Sequence, residues 1–134
     1  MGRGSGGVAQ FKGKSLSAEQ SQAVLGYSYR QIRKAVEGGF STENAEKTAA
    51  KMLRKIPTDI LAKRQERDLY YAAMLEGKQG KGDEFTQKSA EIAYKTYDKL
   101  ELLERKELMR RDPQKYDSDW VANAFAKARK KAGK

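Results

Sequence analysis

Apolar residues recur at intervals of three and four along most of this chain, and no segment alternates with a period of two. Such spacing places apolar side chains on one face of a helix. The pattern predicts an all-α fold with an N-terminal helix-turn-helix domain, a long antiparallel helical hairpin and a short C-terminal helix. The hairpin's second helix, over 83–111, would be about 40 Å long.

Helix-capping and helix-breaking residues divide the pattern. Ser17 and Gln20 have the spacing of a capping box, and Pro57 and Pro113 end helical stretches. We expect four segments: a flexible basic arm over 1–16, a helix-turn-helix DNA-binding domain over 17–57, a helical hairpin for oligomerisation over 58–112, and a C-terminal helix with a basic tail for partner docking over 113–134.

Positive charge is concentrated at the two ends. The net charge is +10, from 28 basic and 18 acidic side chains. Residues 1–56 carry ten basic and four acidic side chains, residues 113–134 carry six and two, and the middle is close to neutral. A net positive charge indicates a polyanionic partner rather than a fold. We therefore expect nucleic acid to meet the basic ends.

The composition argues against an enzyme. The chain has no His and no Cys, so it lacks the commonest general base and the usual soft metal ligands. We expect no catalytic residue, no cofactor and no metal site. Glu101, Glu104 and Glu107 recur among basic residues on the long predicted helix, which is typical of a solvated or intersubunit ion-pair face. No apolar run is long enough to predict a membrane span.

Two stretches fit the turn of a helix-turn-helix, in which the second helix enters the major groove. The favoured one has Ala35, then Gly39 and Ser41, with Ser28 as N-cap of a first helix over 29–37. Its recognition helix covers about 42–55 and turns Ala45, Ala49, Met52 and Leu53 inward. The alternative turn, at 26–28, would instead present Arg30, Gln31 and Lys34 to the groove.

The favoured register assigns the DNA contacts. Groove-facing side chains would be Thr42, Asn44, Lys47 and Lys51. Phosphate contacts, which position a protein without reading sequence, would come from Arg30, Arg33, Lys34, Arg54 and the arm residues Arg3, Lys12 and Lys14.

The predicted hairpin has apolar positions on both helices, which two helices cannot bury alone. Either the N-terminal domain folds back on it or other subunits cover it, and we favour other subunits. The interface residues would be Leu69, Leu75, Phe85, Ile92, Tyr97, Leu100 and Leu103. Trp120 and Phe125, beside the basic tail, are candidate anchors for docking a partner.

The segments 16–20 and 35–41, followed by Thr48-Ala49, Met52-Leu53 and Pro57, resemble one group of phage terminase small subunits. The resemblance covers residues 16–60, and a weaker one lies at 110–116. Gly38 stands where that group has alanine, Phe40 where it has tyrosine, and Met52 where it has leucine.

This resemblance implies a non-catalytic viral DNA-packaging protein in the host cytoplasm. Such a protein binds the packaging start site on double-stranded DNA, assembles as a homo-oligomeric ring and engages the large terminase subunit through its C-terminal segment. The alternative is a basic structural or assembly protein of a phage virion that binds nucleic acid without sequence preference. Preference for one DNA site over others distinguishes the two.

Overall fold

The computed structural model describes residues 15–133, which contain five α-helices and no strand. The predicted all-α character is therefore confirmed for this part of the chain. The helices are α1 (Ala18–Gly38), α2 (Glu43–Leu53), α3 (Thr58–Glu76), α4 (Glu84–Arg111) and α5 (Ser118–Lys131). The predicted contacts of Arg3, Lys12 and Lys14 lie outside the described residues.

Short polar side chains begin three of the helices. The predicted capping box is present, since the Gln20 N–H donates to Ser17 Oγ at 3.1 Å and the Ser17 N–H donates to Gln20 Oε1 at 2.9 Å. Asp83 accepts from the Thr86 N–H at the start of α4. Asp117 accepts from the Trp120 N–H at the start of α5. Each cap gives an acceptor to an N–H group that has no partner within its helix.

Helix α1 is continuous from Ala18 to Gly38, which corrects the predicted organisation before the turn. No helix begins at Ser28, and the alternative turn at 26–28 does not form. Ser28 is instead buried on the inner face of α1, in line with Ser21, Val24 and Ile32. Neither Gly26 nor Ser28 interrupts the helix, because packing holds the inner face of α1 from Ser21 to Val36.

The turn after α1 has the left-handed residue that the sequence predicts. Gly39 has φ 71°, and its N–H donates to Val36 O at 3.1 Å. The next N–H, of Phe40, donates to Ala35 O at 3.0 Å. Left-handed backbone without a Cβ penalty is the usual role of glycine after a helix. Helix α2 then begins four residues after Gly39.

Helices α1 and α2 pack on α4 and do not form a separate domain. One core cluster joins Leu25, Leu53 and Ile56 to Leu61 and Leu108. A second joins Ile32 of α1 and Ala49 of α2 to Leu100 of α4. The N-terminal helices thus cover one side of the α3–α4 pair, which corrects the favoured expectation that other subunits would supply that cover.

Helices α3 and α4 run antiparallel. Gln65 meets Glu101, Tyr71 meets Tyr97, and Gln79 meets Ala90, so residue numbers fall along α4 as they rise along α3. The C-terminal half of α4 is the covered half, because its buried residues all lie between Thr96 and Leu108. None of the residues from Glu84 to Lys95 is buried.

Two further contacts complete the fold. Helix α5 packs on α3 through a small cluster of Leu69, Ala73 and Ala128. Leu16 is buried in the first core cluster, and its N–H donates to Lys55 O at 2.8 Å. The prediction of a flexible arm over 1–16 is therefore wrong for Leu16, and residues 1–14 lie outside the described residues.

Candidate nucleic-acid interface

The exposed face of α2 carries three of the four predicted groove-facing residues. Asn44, Lys47 and Lys51 are exposed and follow one another at helical spacing. The opposite face holds Ala49 and Leu53, which are 2% and 0% exposed. The predicted division of α2 into an inner and an outer face is present in the structure.

Thr42, the fourth of these residues, does not point freely outward. It is half-buried at the N-cap of α2, and its hydroxyl donates to the Glu46 carboxylate. Glu46 also lies 3.7 Å from Lys99 Nζ of α4. Thr42 thus belongs to a small polar network that joins the start of α2 to α4, and a base contact would require this network to open.

The predicted phosphate contacts also divide into exposed residues and one residue that is engaged within the chain. Arg30, Lys34 and Arg54 are exposed. Arg33 is half-buried, and its guanidinium donates to Tyr29 Oη at 2.8 Å and to Glu37 Oε2 at 3.4 Å. The hydrogen bond to Tyr29 raises the pKa of Arg33 above its usual value, although its partial burial opposes this rise. Arg33 is therefore engaged within α1.

Lys47 has only a weak competing partner. Its Nζ lies 3.3 Å from Glu43 Oε2, and both side chains are largely exposed. Exposed pairs of this kind typically contribute about 0–1 kcal/mol because water and salt screen them. Lys47 can exchange this carboxylate for a phosphate at little cost.

A cleft between α1 and α2 was not predicted from the sequence. Its volume is about 420 Å³, and no acidic side chain lines it. Its lining residues are aromatic, amide, hydroxyl and basic groups together with two alanines: Tyr27, Gln31, Lys34, Ala35, Phe40, Ser41, Asn44, Ala45 and Thr48. Gln31 and Lys34, which the alternative register assigned to the groove, therefore share one surface with Asn44 of the favoured register.

Phe40 is the more exposed of the two aromatic residues in this cleft, with 73% of its surface accessible. Its ring lies against the last turn of α1, where a Cβ at Gly38 would come within 2.4 Å of Phe40 Cε2. The two departures from the terminase pattern, Gly38 and Phe40, are thus physically linked. The sequence signal was a large apolar residue in the turn between two predicted helices.

The predicted oligomerisation residues divide between the interior and the surface. Leu69 and Leu100 are buried, and Leu103 packs against two core clusters. The Tyr97 ring lies between Tyr29 and Tyr71, with centroid distances of 5.2 Å to each. Leu69 and Leu100 make their contacts within the chain, which corrects their assignment to a subunit interface. Leu103 and Tyr97 are half-buried, and their assignment stays a prediction.

The other three predicted interface residues remain accessible. Leu75 and Ile92 are half-buried. Phe85 is 79% exposed at the first turn of α4. All three lie in the uncovered half of the α3–α4 pair.

The glutamates of α4 lie on the inner face of the helix, contrary to the predicted solvated or intersubunit face. Glu101, Glu104 and Glu107 are 2%, 0% and 7% exposed. Glu101 accepts from Gln65 Nε2 at 2.9 Å and from Arg105 Nε at 2.8 Å. Buried carboxylates need such partners because the interior does not solvate charge. Within residues 15–133, no cluster of acidic side chains is arranged to hold a metal ion.

The predicted docking residues of α5 are half-buried. Trp120 stacks edge-on against Tyr116 at 4.8 Å between ring centroids and packs on the first core cluster. Phe125 lies between the guanidinium groups of Arg105 and Arg129, at 5.2 and 5.8 Å from its ring centroid. Each leaves part of its ring accessible.

No protein-family model, curated protein or solved structure matches this chain. The resemblance to terminase small subunits therefore rests on the short motifs alone. None of the helices in the described part of the chain combines the length and apolar character that crossing a bilayer requires.

Proposed function

We propose that this chain is a non-catalytic protein that binds double-stranded DNA through the α1–α2 surface. The observation that carries the proposal is the exposed face of α2, where Asn44, Lys47 and Lys51 adjoin a cleft without acidic lining. An α-helix fits the major groove of B-DNA, and an exposed amide there can pair with adenine. The two lysines and Lys34 supply phosphate contacts.

The test is a charge reversal with a matched control. Lys47→Glu/Lys51→Glu alters exposed positions of α2, whereas Lys78→Glu/Lys81→Glu makes the same charge change in the α3–α4 turn. Fluorescence anisotropy with a duplex of about 20 base pairs, two helical turns, measures affinity at several salt concentrations. The α2 variant should lose binding and the control should retain it. Equal affinities of the two variants would refute the assignment.

Within this proposal, the short-motif resemblance favours the class of phage terminase small subunits, acting in the host cytoplasm. Such a protein would recognise a packaging start site and assemble as a ring. The uncovered half of the α3–α4 pair supports the assembly, since Phe85 is exposed there and Leu75 and Ile92 are only half-buried. The half-exposed Trp120 and Phe125 support docking of the large terminase subunit at α5.

One observation favours the alternative, a structural phage protein that binds DNA without sequence preference. Thr42 and Arg33 are engaged in contacts within the chain, so Asn44 is the one predicted groove-facing residue besides the lysines that remains exposed to read a base edge. Lysines mainly contribute sequence-independent attraction to phosphates. Competition between a candidate start site and random duplex distinguishes the two, because a structural protein would bind both equally.

A further inference from the structure

A second concave surface lies between α3 and α5. Its volume is about 380 Å³, within the range of about 300–1,000 Å³ that is usual for ligand pockets. Apolar groups line much of it, among them Ala62, Leu69, Ala124 and the ring of Trp120. From Ala62 to Tyr70, α3 rises about 12 Å, which is the length of an extended segment of about four residues.

Lysines surround this groove. Lys127 Nζ and Lys131 Nζ lie 3.3 and 3.4 Å from Glu66 Oε2, the one carboxylate among the lining residues. At the Trp120 end, Lys63 and Lys115 form no ion pair with any residue of the described part. The groove therefore combines an apolar floor with two cations at one end that have no carboxylate partner in the described part. Lys115 Nζ lies 5.3 Å from the centroid of the Tyr116 ring, which also lines the groove.

We infer that this groove binds a short acidic segment of another protein, with an apolar side chain against Trp120 and carboxylates toward Lys63 and Lys115. The inference rests on the part of the proposed function that gives α5 a docking role, and it specifies the chemistry of the partner. Charge complementarity of this kind sets partner choice and association rate.

The charges and the shape of the groove argue against other occupants. Residues 1–14 of the chain carry three basic and no acidic side chains, so the lysines repel them. A DNA backbone presents phosphates and no apolar group, so it could neither cover the apolar floor beside Trp120 nor donate a hydrogen bond to Glu66. A peptide can instead donate backbone N–H groups to that same carboxylate while its apolar side chain enters the groove.

Trp120 provides a direct readout because it is the only tryptophan of the chain. The probe is a short peptide of aspartates around a pair of leucines, titrated while the fluorescence of Trp120 is recorded. Its two controls have asparagine for aspartate and serine for leucine. We expect saturable binding of the first peptide and binding about tenfold weaker for each control.

The protein variants test the position of the site. Lys63→Glu/Lys115→Glu should weaken binding of the acidic peptide about tenfold, and Lys78→Glu/Lys81→Glu should leave it unchanged. No change in Trp120 fluorescence with the acidic peptide, or equal affinity in both variants, would overturn the inference. Displacement of the peptide by duplex DNA would also overturn it, because DNA would then occupy the groove. A change in oligomer mass in the Lys63→Glu/Lys115→Glu variant would overturn it as well, because a second copy of the chain would then occupy the groove.

Failure here is distinguishable from failure of DNA binding. Duplex affinity measured by anisotropy depends on Lys47 and Lys51, whereas the peptide signal depends on Lys63, Lys115 and Trp120. A protein that binds duplex normally but not the peptide overturns only the groove assignment.

Discussion

Two carboxyl groups face each other in the interior where α3 packs on α4. Asp68 and Glu104 are both 0% exposed, and none of their four oxygens accepts a hydrogen bond from an N–H group of the described residues. Arg64 Nε approaches Asp68 Oδ1 to 3.4 Å, and Arg67 Nε approaches it to 3.8 Å. Burial raises the pKa of Glu104 well above 4.5, and the adjacent Asp68 charge and hydrogen bond raise it further. Burial and the neighbouring carboxylate therefore favour the protonated form of Glu104, whose O–H can donate a hydrogen bond to Asp68.

The consequence is that stability falls as the pH rises. The raised pKa of Glu104 means that the folded protein holds a proton that the unfolded chain releases near pH 4.5. Stability from this group is complete below that pH and is lost as the pH approaches the raised value. The free energy of unfolding should fall by up to about 1.4 kcal/mol per pH unit for each such proton. Burial also raises the pKa of Asp68, which acts in the same direction.

The perturbation that isolates this effect is Glu104→Gln. The amide has nearly the same shape, can donate a hydrogen bond to Asp68 and does not ionise in this range. We expect the variant to lose most of the fall in stability between about pH 5 and pH 8, and to be the more stable protein at the alkaline end. The control is Glu101→Gln, one turn earlier on α4, which removes a carboxylate bound by Arg105 and Gln65. Glu101→Gln should lower the free energy of unfolding by about 1.5–3 kcal/mol.

Urea unfolding followed by circular dichroism at several pH values measures these differences. Wild-type stability that rises steadily from about pH 5 to pH 8, or a Glu104→Gln variant that parallels the wild type, would refute the shared proton. A loss of stability below about pH 5 would not refute it, because another carboxylate accounts for that loss. Hydrogen bonds from Arg110 and Arg111 outweigh the burial of Glu107 and lower its pKa, so its stabilising charge is lost on acidification.

Four further changes test the packing, the turn and the assembly. Leu53→Ala should cost about 2–5 kcal/mol in urea unfolding, because Leu53 is fully buried at the end of α2. Gly39→Ala should lower the free energy of unfolding by about 1–2 kcal/mol, since a Cβ is unfavourable at its φ of 71°. Gly38→Ala should instead displace the Phe40 ring and lower the affinity for duplex DNA. Phe85→Glu should reduce the oligomer mass measured by light scattering, and an unchanged mass would exclude the α4 N-terminal half from the interface.

The sequence was most informative where local rules decide the structure. The capping box at Ser17, the left-handed Gly39 and the inward face of α2 follow from side-chain chemistry within a few residues. Ser28 was misassigned because serine suits both a helix cap and a small buried position in a helix. Only the packing of α1 on α4 decides between them.

The remaining features depend on contacts between distant segments. Glu101, Glu104 and Glu107 have the spacing of a solvated face, and their burial follows from partners such as Gln65 and Asp68 on α3. The cleft between α1 and α2 likewise requires two helices and the turn to be placed together. The DNA contacts on α2 remain predictions, since exposure and charge describe a surface and not its partner.

The most direct test of the central proposal is to map the bound surface without changing the protein. Titration of ¹⁵N-labelled protein with a duplex of about two helical turns, followed by amide chemical shifts, reports contacts along the whole chain. We predict the largest shifts at Gly39–Lys51 and at Lys34, on the α1–α2 surface. Shifts centred on α5, or none at concentrations that saturate binding, would contradict it.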